Sequence, residues 1–126
     1  MAKEVALQSL CVILLLSFLQ KGLCDDCPNT HSFKDILVSQ VPTGKEIQGK
    51  TEYKVTLRNP CICTQLSITL SCPGFNTVEP IDPTILTHDG DACGVQYIHR
   101  LEQVEFTYAW DTAITFTPTS SQVACS

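Results

Sequence analysis

From Gln65 to Cys72 the chain alternates polar and apolar residues without a break. Leu66, Ile68, Leu70 and Cys72 fall on one side, and Gln65, Ser67, Thr69 and Ser71 fall on the other. A side-chain period of two, built from Thr, Ile and Leu, predicts a strand with one face in a core and one in solvent. A helix would need apolar residues three and four apart, and the pattern does not supply them. Two further stretches alternate as cleanly. Thr51–Asn59 sets Tyr53, Val55 and Leu57 against Glu52, Lys54, Thr56 and Arg58, while Glu102–Trp110 places Val104, Phe106, Tyr108 and Trp110 on one face. Phe33–Val41 is a less regular strand, with Ile36, Val38 and Gln40 on one face and Leu37 and Val41 on the other. Gly94–Arg100, Thr112–Thr117 and Ser120–Cys125 read as shorter strands, the last two divided by Pro118.

The breakers between these runs set the architecture. Pro42–Lys50 carries two glycines and a proline and reads as a loop. Asn59-Pro60 ends the strand before it, because proline has no amide to donate and holds its predecessor extended; the Gln65–Cys72 strand is then expected to complete a hairpin-like pair with it. Pro73-Gly74 closes that strand. Phe75–Asp91, interrupted by Pro80, Pro83 and Gly90, is the least regular region and reads as a long loop holding one or two short strands. Short connections suit antiparallel pairing only. About seven strands and no helix therefore predict an all-β fold, an antiparallel β-sandwich, with a small Greek-key barrel as the alternative. The rows Tyr53–Leu57 and Val104–Trp110 are expected to face the row Leu66–Cys72.

Composition then fixes the compartment. Lys3 precedes an apolar run, Leu10–Leu19, that ends at Gln20-Lys21 and is followed by Gly22-Leu23-Cys24. The run is too short to span a bilayer and has the flanks of a secretory signal peptide, so residues 1–24 are expected to be removed. Residues 25–126 then form one domain holding six of the eight cysteines: Cys27, Cys61, Cys63, Cys72, Cys93 and Cys125. An even set in an exported chain reads as three disulfides. Cys61 and Cys63, two apart in extended chain, cannot bond each other; the expected pairs are Cys72 with Cys93, and Cys27 and Cys125 with Cys61 and Cys63. Regular alternation would aim Cys61 and Cys63 away from the face of Cys72, so Pro60 is expected to mark a bulge that re-aims them.

From Asp25 onward six basic and twelve acidic residues remain, a net charge of −6. An acidic domain without a basic cluster argues against nucleic acid and anionic membrane surfaces as partners. The histidines, His31, His88 and His99, accompany no nucleophile motif, and oxidised cysteines offer no thiolate. His88-Asp89-Gly90-Asp91 has too few oxygen ligands at the right spacing for calcium and reads as a solvated turn. Cys-x-Cys lacks the second pair of a zinc site. The sequence thus points to no enzyme, metal or cofactor. Tyr108 and Trp110 on one face, with Tyr97 and Phe106 near in sequence, leave open a cell-wall carbohydrate-binding module. No Asn-x-Ser/Thr acceptor is present.

With the cysteines placed, the chain resembles the tapetum determinant proteins of plants and their shorter homologues. The resemblance rests on Cys27, Asp35-Ile36-Leu37-Val38-x-Gln40, Tyr53-x-Val55-x-Leu57-x-Asn59, Cys61, Cys63, Ile68-x-Leu70-x-Cys72-x-Gly74-Phe75, Asp91-x-Cys93, Phe106-x-Tyr108-Ala109 and Cys125. It implies a small secreted cysteine-rich signalling ligand of the apoplast, whose partner is the ectodomain of a leucine-rich-repeat receptor kinase in anther cell-fate specification. Founding members carry a basic stretch where this chain reads Asp82-Pro83-Thr84-Ile85-Leu86. The irregular segment is the expected contact region, with Phe75, Glu79, Asp82, His88, Asp89 and Asp91 as candidate contacts.

Overall fold

The computed structural model describes Cys27 and residues 31–125; the expected signal peptide lies outside the described residues. Seven strands run in order: β1 (Leu37–Ile47), β2 (Lys50–Arg58), β3 (Thr64–Ser71), β4 (Thr87–Asp89), β5 (Ala92–Ile98), β6 (Gln103–Trp110) and β7 (Thr117–Ala124). They form two antiparallel sheets, β1-β2-β6 and β4-β5-β3-β7, the expected sandwich. Phe33–Asp35, expected in the first strand, is instead one turn of 3-10 helix closed by a capping box from Ser32. A local alternative to the ladder is available there, since the Ser32 hydroxyl accepts from Lys34 N–H and the Asp35 carboxylate accepts from Ser32 N–H.

The core lies between the sheets. Val55 and Leu57 from β2 and Phe106 and Tyr108 from β6 meet Ile68, Leu70 and Cys72, with Phe116 closing the stack. The Phe116 ring meets those of Phe106, Tyr108 and Phe75 edge-on at centroid distances of 5.5, 5.7 and 5.6 Å.

Three sequence expectations are corrected, each for a local reason. Pro42 does not end β1, which continues to Ile47 and turns at Gln48-Gly49, where both residues take positive φ (51° and 78°). Proline is tolerated because β1 is an edge strand, and the register shifts between Pro42 and Glu46. Pro118 likewise sits inside β7, the other edge strand of its sheet, at a register shift against β3, so one strand replaces the two expected. Finally, β2 and β3 are not a hairpin-like pair: they lie in different sheets, and residues 59–63 carry the chain across.

Asn59 organises that crossing. Its side chain is fully buried, and its amide donates to the carbonyls of Cys63 (2.9 Å), Ile98 (3.0 Å) and His99 (3.3 Å). Its Oδ1 accepts from Cys61 N–H at 3.0 Å. One side chain thus satisfies the backbone of two crossing segments that no ladder could pair.

The expected bulge is displaced. Cys61, Cys63 and Gln65 are buried, as are Ile68, Leu70 and Cys72, so parity changes at Leu66–Ser67 rather than at Pro60. Ser67 takes φ 50° there. In β5 the buried set changes parity at the same level, from Val95 to Ile98, so the β3–β5 register stays unbroken while that with β7 shifts. Gln65, expected in solvent, is therefore buried; it donates to Ser32 O and accepts from the Ser121 hydroxyl, tying the N-terminal turn to β3 and β7.

Candidate functional site

Disulfides Cys27–Cys61, Cys63–Cys125 and Cys72–Cys93 join the pairs set out from the sequence. The first two clamp Cys27 and Cys125, at the two ends of the described residues, to the crossover. The third links the end of β3 to β5 and so closes the base of the irregular segment between Cys72 and Ala92.

That segment is a strap. It leaves the four-stranded sheet at Cys72, runs along the free edge of β6, and returns as β4. Val78 N–H donates to Ala109 O at 3.0 Å, and Ala109 N–H donates to the Thr77 hydroxyl at 3.0 Å. These bonds occupy backbone groups that an edge strand would otherwise leave open. Phe75 and Leu86 (7% and 5% exposed) anchor the strap, and Ile81 and Ile85 pack partly against the core.

The candidate contacts divide accordingly. Phe75 is turned inward, its ring edge-on to His88 at 4.8 Å and to Tyr108 at 5.5 Å, so it presents no surface to a partner. Asp82 is exposed and folds its own turn. Its Oδ1 accepts from Thr84 N–H (2.9 Å) and the Thr84 hydroxyl (2.8 Å), bonds that hold its carboxyl below the usual range. His88, Asp89 and Asp91 are exposed on the β4–β5 hairpin, whose two-residue turn is Gly90-Asp91. His88 Nε2 lies 2.7 Å from Gly90 O, and Asp91 accepts from Gly74 N–H at 3.2 Å. The exposed acids are thus held by backbone contacts at both ends of the strap, and residues 75–91 contain no lysine or arginine.

Glu79 is different. Its Oε2 accepts from the Thr107 hydroxyl at 2.9 Å, while its Oε1 is buried with no donor among the described residues. It shares this place with Glu52, 6% exposed on β2, which accepts from the Thr43 hydroxyl at 2.6 Å. Burial pushes the Glu79 carboxyl up, opposed by Thr107 and reinforced by Glu52. The Thr43 hydroxyl, then Glu79, holds Glu52 down. Two carboxyls in one site cannot both ionise freely, and of the two Glu79 is the harder to ionise. The Thr107–Glu79 bond fastens the strap to the β1-β2-β6 sheet here. Sequence reading placed Glu52 in solvent because alternation gave no sign that the strap would cover it.

Along the strap's other flank runs an open groove of about 410 Å³, lined by Ser67, Thr69, Thr84, Thr87 and Gln96 among others, with no charged residue. Gly94 forms its floor, where an added Cβ would meet the Thr87 hydroxyl at 2.8 Å.

Among the described residues the aromatic rings form no exposed platform. Phe106 and Tyr108 are in the core. Trp110 is half-buried, with the Lys50 ammonium 5.3 Å above its ring and that ammonium 2.6 Å from Asp111. Tyr97 is exposed on a different sheet, against His99. Two clusters have metal-ligand composition, His31 with Cys63 and Cys125, and Asp35 with Cys27 and Cys61, but their sulfurs are spent in disulfides.

Fold and site together define a small cysteine-rich β-sandwich with an anchored acidic strap. The chain belongs to the tapetum determinant family: the family model described as Tapetum determinant 1, C-terminal, matches residues 32–126. Neither the curated proteins nor the solved structures include a match. Membership fits a secreted signalling ligand, and the three disulfides are consistent with an oxidising, extracellular setting.

Proposed function

We propose that the protein is a secreted signalling ligand that engages the ectodomain of a leucine-rich-repeat receptor kinase, in anther or other reproductive cell-fate specification, through the exposed face of the strap. The observation that carries this reading is the strap itself. Its apolar side is spent on the core, its backbone is held by β6 and by a disulfide at its base, and its outer side presents Asp82, Asp89 and Asp91 with no lysine or arginine in residues 75–91. A surface already ordered before contact lowers the ordering cost of binding. Solenoid ectodomains offer extended concave surfaces to compact rigid partners. The acidic face calls for a basic patch on the receptor, and complementary charge speeds encounter and rejects wrong partners. The expected signal peptide at residues 1–24 supports the secreted part of this reading. Photo-crosslinking the tagged, secreted protein on intact anther tissue and identifying the captured proteins tests the reading. Enrichment of a leucine-rich-repeat kinase supports it, and capture of cell-wall polysaccharide alone contradicts it.

A further inference from the structure

The β1-β2-β6 sheet has two edges, and only one is closed. The strap occupies the β6 edge, whereas among the described residues no backbone hydrogen bond outside the β1–β2 ladder reaches β1. Two independent observations give the geometry of this open edge. Asn59 N–H donates to Glu102 O, so odd-numbered β2 residues bond toward β6 and even-numbered ones toward β1. Their partners Leu37, Ser39 and Val41 then bond inward to the ladder, and Val38 and Gln40 turn their N–H and C=O outward. Pro42 agrees, since its position in the alternation puts its missing donor on the open side.

The side chains along this edge are self-complementary. Leu37 and Val41, each 55% exposed, flank Ser39 on the outer face, and Leu37–Gly44 contains no charged residue. Edge strands are ordinarily blunted by charge, proline or a bulge; in β1 Pro42, the register shift and Lys45-Glu46 put these devices after Val41, and Leu37–Val41 carries none of them. In an antiparallel pairing of two copies with the twofold axis at Ser39, Gln40 of one copy faces Val38 of the other. Those two residues exchange both N–H···O bonds, and symmetry repeats the exchange. Leu37 then meets the other copy's Val41, twice, as an isologous contact requires. A one-residue slip would oppose residues whose backbone groups point away from each other.

Charge permits the arrangement. Arg58 and Lys54, the β2 partners of Leu37 and Val41, end up three strand spacings apart, about 14 Å, beyond the screening length of about 8 Å at physiological salt. The acidic straps lie beyond the β6 strands at opposite ends of the joined sheet, about seven spacings or 33 Å apart.

We infer that the β1 edge is a homodimer interface, formed by antiparallel pairing of Leu37–Val41 with its own copy about Ser39 into one six-stranded sheet. The inference goes beyond the receptor reading and does not depend on it, because dimerisation is measured without a receptor. Sedimentation velocity of the secreted protein is expected to give twice the monomer mass. Ser39→Lys, which sets two ammonium groups against each other at an exposed position, is expected to give a monomer with an unchanged far-UV spectrum. Ser39→Cys is expected to cross-link two copies through residue 39 under oxidising conditions, whereas Leu37→Cys, whose symmetry mate lies four residues away along the strand, is expected to cross-link far less. If Ser39→Lys does not fold, the cysteine pair decides. A wild-type monomer from micromolar to millimolar concentration overturns the inference. A dimer that survives Ser39→Lys, or equal cross-linking at 37 and 39, overturns it as well.

Discussion

Tyr108→Phe removes one oxygen from the middle of the core. The Tyr108 hydroxyl accepts from Ile114 N–H at 2.7 Å and donates to Gln40 Oε1, and the Gln40 amide donates back to Ile114 O at 2.8 Å. This closed ring of three bonds joins β1, β6 and the connection from β6 to β7, and Tyr108 itself is fully buried. Without the hydroxyl, the Ile114 amide is stranded in a buried position and the Gln40 oxygen loses its donor. A stranded buried group costs about 1–3 kcal/mol. The amide falls at the upper end of that range, and the half-buried Gln40 can recover part of its loss from water, so the expected cost is about 3 kcal/mol. For a domain of this size that lowers Tm by roughly 12–20 °C. Calorimetry with the disulfides intact measures it, and urea unfolding should show a lower midpoint at unchanged slope. Tyr53→Phe is the control. Its ring stacks on Tyr108 at 5.3 Å, but its hydroxyl makes no hydrogen bond among the described residues, so a change within about 0.5 kcal/mol is expected. If Tyr108→Phe is as mild as Tyr53→Phe, the ring of bonds does not hold these elements together and the reasoning fails.

Other expectations follow from the same structure. Asn59→Ala breaks four bonds at the sheet crossing and should cost about 3 kcal/mol or more by urea unfolding, with a matching fall in secreted yield. Replacing Cys72 and Cys93 together by serine opens a loop of 21 residues and should cost about 3 kcal/mol, with new protease cleavage confined to residues 75–91. Glu79→Gln should raise stability at neutral pH by roughly 1 kcal/mol, since the new amide can donate to Glu52. The sign follows from the raised Glu79 carboxyl: the folded state holds the proton longer than the unfolded one, so the wild type loses stability as pH climbs through the ordinary carboxylate range and above. The variant's advantage should therefore vanish in mild acid; thermal melts across pH read it directly.

Strand positions were legible where alternation met a uniform environment. Tyr53–Leu57 and Phe106–Tyr108 face the core as read, because neither β2 nor β6 changes parity along its length. The reading failed where one rule was overridden by context. Pro42 and Pro118 looked like strand breakers, yet both sit on edges where no donor is required. Gln65 looked exposed, yet the shift of parity at Ser67 buries it under the N-terminal turn. The bonds of Asn59 and of Tyr108 with Gln40 span 39 and 68 residues, and no local pattern announces them. For the candidate site, the segment was legible as the longest irregular stretch, but not its division into an inner side (Phe75, Leu86) and an outer one (Asp82, Asp89, Asp91). That division comes from the β6 edge, which recruits Thr77 and Val78 and thereby fixes which way the strap faces.

The most direct test of the ligand reading is biolayer interferometry against a panel of leucine-rich-repeat kinase ectodomains. It compares the wild type with a variant carrying Asp82→Asn, Asp89→Asn and Asp91→Asn. The amides keep the hydrogen-bond acceptors that Thr84 and Gly74 use, so the strap should stay in place while its charge disappears. The prediction is salt-sensitive binding of the wild type to at least one ectodomain, weakened at least tenfold in the neutralised variant chiefly through a slower association rate. Binding that is unchanged in the variant, or absent across the panel, would contradict it.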